Sequence, residues 1–294
     1  MITEIILHNI ELDKTIKIGT DNRGYVLGQA DFGQAPAIQK TTPYINLIGT
    51  KVMSTKLDTR SISIKGAVFG FGKSIPLKKR ELNRIINPNH TLIIECGNYK
   101  ISVRANASVS YSNERLRNGS NFCEFLIQCT AFEPVFKRRN EEVVYYSSAR
   151  SVPIFPMIIP ASKGICFGQI SQDSIQNIVN DGDIETGFLV RFIADEGEVK
   201  NPKITNNITG KFIEVIINME KGDIVEVSTI SGNKYASFIR GNSRTDILNN
   251  VTRKSTMSLS LNTGANDILI SAARNESNLN NVIKFTPLYL EVEE

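Results

Sequence analysis

Phe122–Phe136, FCEFLIQCTAFEPVF, decides the fold. Its residues alternate as a strand's do. Cys123, Phe125, Ile127, Cys129 and Ala131 fall on one face, and Glu124, Gln128 and Thr130 on the other. Pro134 then stops the strand, because proline has no amide hydrogen to give a sheet ladder. The charged run Lys137-Arg138-Arg139-Asn140-Glu141-Glu142 follows at once. A long half-buried strand that ends in a proline and a solvated connector marks the close of a β domain near the middle of the chain.

Outward from that point, the chain of 294 residues is long enough for two domains, each large enough to bury a core. The expected division is an N-terminal domain over 1–140, a linker over 141–152 and a C-terminal domain over 153–294. Hydrophobic residues make up 41% and charged residues 22%, an ordinary globular balance. The net charge of +4 is unevenly spread. Residues 1–150 hold 21 Lys/Arg against 13 Asp/Glu, and residues 151–294 hold 13 against 17. A basic half can face nucleic acid or an acidic partner. The short basic run Lys78-Lys79-Arg80 falls on an exposed helix face with no interleaved aromatics, so a solvated face is the reading and no sequence-specific nucleic-acid binding is expected.

The apolar stretch at the start is broken by Glu4 and His8, so no secretory signal is expected. No run of about 18 apolar residues occurs, so no membrane insertion is expected. Cys96, Cys123, Cys129 and Cys166 form no CxxC pair. Cys123 and Cys129 share a strand face but lie about 20 Å apart, too far to bridge. They read as free core thiols, as in a protein made in a reducing cytoplasm.

Strand patterns dominate. In the first half, Ile62, Ile64 and Val68 alternate with polar residues, as do Tyr99, Ile101 and Val103, and Leu92–Ile94 is a short apolar run. One helix is expected between them. Ser74 is its candidate cap, Pro76 suits its first turn, Leu82, Ile85 and Ile86 share a face, and Asn87-Pro88 ends it. Asp31–Leu57, with Gly33, Pro36, Pro43 and Gly49, reads as a long loop or a projecting hairpin. The second half reads as β throughout. Ile213–Ile217, Val225–Thr229, Lys234–Ile239, Met257–Leu261, Ile268–Ile270 and Val282–Val292 are the candidate strands, and Ser231-Gly232-Asn233 is a hairpin turn. Short strands with turn residues between them indicate a β-sandwich.

Signals for chemistry are poor. His8 and His90 are the only histidines, and each reads as structural. No zinc spacing or nucleophile elbow occurs. Asp181, Asp183 and Glu185 could hold calcium, but the later ligands of a calcium loop are missing. Ala67-Val68-Phe69-Gly70-Phe71-Gly72-Lys73-Ser74 matches a relaxed phosphate loop. Its bulky residues, and a chain with one helix where a nucleotide-binding sheet needs several crossovers, favour a glycine-softened strand end leading into a helix. No catalytic, cofactor or metal residues are expected.

Several short segments in fixed order carry a resemblance. In the first half they are Arg60–Gly66, Lys79–Leu82 through Ile86-Asn87-Pro88, Asn98–Ile101 and the strand ending Phe132-Glu133-Pro134. In the second they are Asn180–Asp183 with Thr186-Gly187, Asn201–Ile204 with Thr209-Gly210, Lys221–Ile224 and Gly264–Asn266. Through them the chain resembles the distal tail protein family of long-tailed phages and prophages. The resemblance implies a mainly β chain with one short helix. Its N-terminal β-sandwich or split barrel would build a hexameric ring, and a galectin-like β-sandwich would follow. It implies no enzyme activity. Its location would be the tail tip or baseplate of a virion, between the tail tube protein and the tail-tip hub, with receptor-binding proteins docking there. Two other readings stay open. One is a carbohydrate-binding sandwich that stacks host glycans on Tyr235 or Tyr289. The other is a nucleotide hydrolase using Lys73.

Overall fold

The computed structural model describes residues 2–22, 24–44, 48–70, 74–112, 121–147, 149–151, 168–170 and 175–292. The first strands are β1 (Glu4–Asn9), β2 (Lys14–Gly19), β3 (Tyr25–Asp31), β4 (Ala37–Pro43), β5 (Thr50–Leu57) and β6 (Arg60–Phe69). After helix α1 (Ser74–Ile85) come β7 (Thr91–Cys96), β8 (Tyr99–Ala105), β9 (Ser110–Tyr111), β10 (Phe122–Ala131) and β11 (Phe136–Arg138). Next are β12 (Glu142–Ser147), β13 (Ala149–Ser151), β14 (Gly168–Ile170), β15 (Ile175–Asn180), β16 (Phe188–Ala194), β17 (Val199–Asn206), β18 (Phe212–Glu214) and β19 (Asn218–Met219). The rest are β20 (Ile224–Ser228), β21 (Tyr235–Arg240), β22 (Ser243–Asp246), β23 (Gly264–Arg274), β24 (Leu279–Phe285) and β25 (Leu288–Tyr289). Among the described residues the chain is mainly β with one α-helix, as the sequence pattern implies. It divides into two compact units, Met1–Arg139 with Tyr289–Glu294, and Asn140–Leu288.

The first unit is a barrel. Its strands run in the order β8-β7-β1-β2-β3-β6-β10, and β10 closes back on β8 through Cys129↔Ala105 and Thr130↔Arg104. β10 and β6 pair along their whole length, from Phe122↔Phe69 to Ala131↔Arg60. Alternation therefore turns Ile62, Ile64, Val68, Phe125, Ile127 and Cys129 inward into one buried core. Each such aliphatic side chain contributes about 1.5–3 kcal/mol of burial free energy. Gly66 lies opposite Phe125, and a Cβ there would stand 2.7 Å from the phenyl ring, so the ring occupies the space a side chain would take. α1 adds Leu82, Ile85 and Ile86 to this core. Ser74 is not seen to cap the helix by its side chain: its hydroxyl is buried and makes no hydrogen bond among the described residues.

The second unit is a sandwich. A six-stranded sheet, β12-β24-β16-β20-β21-β22, and a five-stranded group in which β15-β23-β17-β18 form the path share one core. Phe188, Val190 and Phe192 of β16 meet there with Ile204, Val225, Val227, Ile268, Ile270, Ile283 and Phe285.

Four segments differ from the sequence reading. Met257–Leu261 is not a strand. Leu259 is buried at the end of a turn, its N–H bonding back to Thr256 O, and Leu261 is buried at an isolated antiparallel bridge to Thr186. Alternation there reflects one turn and one bridge, not a continuous strand. The Ile213–Ile217 strand stops at Glu214 as β18. Glu142–Ser147, inside the expected linker, pairs with β24 as an edge strand of the sandwich. The run Val282–Val292 is two strands. Thr286-Pro287 breaks it, because proline cannot continue the ladder, and Tyr289 returns to the barrel.

Candidate functional site

The β4–β5 hairpin forms a two-stranded sheet of its own and adds no residue to either core. Gly33 lets the chain leave β3: its φ is +58°, and a Cβ there would lie 2.3 Å from the Ser61 carbonyl. Asp31 Oδ1 accepts from Gly33 N–H at 2.8 Å and shapes the exit turn. Asp58 N–H bonds Pro36 O at 2.7 Å and closes the hairpin base. Strands of seven and eight residues reach about 25 Å. Every residue of β4 is exposed, and so is every residue of β5 before Leu57.

Antiparallel register sorts the arm into two faces, because directly opposed residues share a side. Ala37↔Leu57, Gln39↔Thr55, Thr41↔Val52 and Pro43↔Thr50 make one face, which carries no charge. Ile38↔Lys56, Lys40↔Ser54 and Thr42↔Lys51 make the other, which carries three lysines and no carboxylate. A bulge between Lys40 and Thr41 sets Met53 apart. Ile38 is 55% exposed and Met53 59%. A two-stranded hairpin exposed on both faces is marginal in water by itself.

The barrel wall offers a second surface. A groove of 580 Å³ runs over β3, β6, β9 and β10, lined by Val26, Gly28, Ala67, Phe69, Tyr111 and Leu126 among others. Phe69 stacks on Phe122 with centroids 5.9 Å apart at its edge.

The chemical candidates do not come together. The basic run on α1 is not a bare solvated face. Lys78 donates to Phe69 O at 2.6 Å, and the Lys79 ammonium lies 4.8 Å from the Tyr111 ring centre. Phe71, Gly72 and Lys73 of the phosphate-loop pattern lie outside the described residues. The strand before them belongs to a barrel whose described pairings are antiparallel except Gly19↔Val26, unlike a nucleotide-binding parallel sheet. His8 bonds Asp13 at 3.3 Å, and His90 accepts from Asn9 at 3.0 Å, with Asn9 also donating to Ile85 O.

Among the described residues no group of three His, Cys, Asp or Glu could hold a metal. Asn180 organises the 180–184 turn instead, accepting from Gly182 N–H and donating to Ile184 O and Leu261 O, while Glu185 accepts from Ser260. Cys96, Cys123 and Cys129 are buried and free, and Cys166 lies outside the described residues. Burial pushes the Cys129 thiol up to about 12. Among the described residues no helix is long and apolar enough to cross a membrane.

The two tyrosines considered for sugar stacking are both engaged. Tyr289 is buried in the barrel unit, edge-on to Tyr99 at 5.1 Å. Tyr235 donates to Glu226 Oε1 at 2.7 Å and lies beneath the Arg244 guanidinium. Glu226 is 2% exposed and also accepts from Arg191 at 2.5 Å and Arg244 at 2.7 Å. Burial pushes its carboxyl up, but these hydrogen bonds and cations outweigh it and hold the group below the usual carboxylate range. Arg240 donates to Asp223 from Nε and Nη2, at 2.8 and 2.5 Å, and lowers its carboxyl likewise. These clusters tie sheet strands together and leave no open acid–base pair. Sequence reasoning missed them, since nothing local in the sequence pairs Arg191 with Glu226.

No family model matches the chain, and no curated protein matches it by sequence. Solved structures do match its fold. The SPP1 Dit protein, described as a paradigm of the hub adsorption apparatus in phages infecting Gram-positive bacteria, is similar with a TM-score of 0.68. That match covers 97% of this chain and 99% of that one at 12% identity. A chain of the phage P2 baseplate, in its activated conformation with calcium, matches with a TM-score of 0.54 at 10% identity, covering 98% of each chain. The strontium form of that baseplate gives 0.51 at 9% identity, covering 97% of this chain and 98% of that one. Both units, in this order, therefore have the fold of a phage hub protein.

Proposed function

We propose that this chain is a structural, non-catalytic component of a phage tail tip or baseplate. In this reading the barrel unit builds a homo-oligomeric ring, six copies in the family it resembles. The ring joins the tail tube protein to the tail-tip hub and to receptor-binding parts. The observation that carries the reading is the match to SPP1 Dit over nearly the full length of both chains, barrel and sandwich together. The exposed β4–β5 arm supports it, because a head-to-tail interface that closes into a ring needs one surface that reaches a different surface on the next copy. The uncharged arm face is suited to lie on a neighbour. Negative-stain images of the purified protein test the proposal. Rings with a central opening are expected, and particles of a single copy at every concentration would overturn it. The sugar-binding reading gains no support, since Tyr235 and Tyr289 are both held in internal contacts.

A further inference from the structure

We infer that Tyr289–Val292 is a clasp that completes the barrel only after the whole sandwich unit has been made. Arg60 begins β6 and shares inward parity with Ile62 and Ile64. Its side chain is buried, at 2% exposure. Its guanidinium lies 4.7 Å from the centre of the Phe136 ring and donates from Nη2 to the Leu290 carbonyl, 230 residues away in sequence. Among the described residues its Nε is buried without a hydrogen-bond partner. The Glu291 carboxylate, on the same returning segment, favours its charged form. A buried cation depends on each such partner. The same segment closes an edge, since β25 pairs with β11, a strand of three residues whose other neighbour is β8. Tyr289 caps Tyr99 edge-on, and the Arg138 guanidinium sits 5.5 Å from its ring centre. Val292 packs against the barrel core.

Residues 140–288, which separate the two parts of the barrel unit, form the other unit. The barrel is thus begun first and finished last. A chain that stops before Tyr289 leaves Arg60 without its acceptor and β11 with an open edge. If the ring reading holds, every copy able to join a ring then carries a finished sandwich. The clasp itself does not depend on that reading, because its test follows the folding of one chain.

The test is hydrogen exchange read by mass spectrometry on the full chain. In pulse-labelled refolding of the unaltered protein, amides of β6, β8 and β11 should gain full protection together with Tyr289–Val292 or after it. Full protection of β6 and β8 while Tyr289–Val292 still exchanges freely would overturn the inference. In the folded state, Tyr289→Ala should speed exchange in β6, β8 and β11 by about tenfold or more and leave β16 and β24 unchanged. Unchanged barrel exchange, or an equal rise in both units, would count against a clasp. An Arg60→Met background should shrink the Tyr289→Ala effect, because no buried cation then needs the Leu290 carbonyl. The same effect in both backgrounds would remove Arg60 from the account.

Discussion

The two units bury polar side chains in opposite ways. Among the described residues the barrel buries Asn9 and Arg60, whereas the sandwich buries Asn180, Thr186, Asn206, Asp223, Glu226, Ser228, Thr229, Ser237, Asn266 and Asn281. The barrel is held by an almost wholly apolar core, with one buried cation tied to a returning segment. The sandwich is pinned by hydrogen-bonded carboxylates and amides as well as by packing. The difference teaches where each unit is vulnerable. The barrel depends on shape and on a distant strand, and the sandwich on charge.

The largest effect should come from the barrel core. Phe136→Ala removes a ring that packs edge-on to Phe32 at 5.4 Å and covers Arg60. It should cost the barrel about 3–5 kcal/mol and leave the sandwich transition in place by calorimetry. Loss of both transitions together would show that the units do not unfold separately. In the sandwich, Glu226→Gln leaves Arg191 and Arg244 facing a neutral amide. Both arginines are well exposed, so the expected cost is about 1–3 kcal/mol, confined to the sandwich.

Acid should separate the units without any mutation. Asp223 and Glu226 have folded-state pKa values below their unfolded ones. Their contribution is therefore present above the unfolded values and is lost as pH falls through the folded ones. Sandwich stability should decline as pH drops below about 4, with the barrel changing less. Equal acid sensitivity of the two units in exchange experiments would contradict the comparison. Smaller still is Gly33→Ala, which puts a side chain into left-handed backbone against the Ser61 carbonyl. It should cost about 1–2 kcal/mol and lower ring yield by displacing the arm. Val52→Ser on the arm should shift single-chain stability by less than about 0.5 kcal/mol while weakening assembly.

Much of this was legible in the sequence. Phe122–Ala131 and Arg60–Phe69 are long period-2 runs, and they became the two strands that pair over ten positions. The proline and glycine content of Asp31–Leu57 marked a projecting element, and the structure makes it a hairpin. Other features depend on contacts across the chain. Leu288–Val292 reads as a continuation of Val282–Phe285, and only Thr286-Pro287 hints that it departs. Arg60 carried a clearer signal: it stands two residues before Ile62 and four before Ile64, so strand parity alone points it inward. The lysine face of the arm follows parity too, but the bulge at Lys40/Thr41 shifts the register in a way no local pattern shows.

In the proposed ring, the arm joins copies of the barrel unit. Light scattering on the intact protein and on a form with residues 37–57 replaced by a short turn tests it most directly. The intact chain, 32.7 kDa per copy, should run as a closed assembly of several copies, and the armless form should run as a single copy. An armless protein that keeps the full assembly mass would contradict the account.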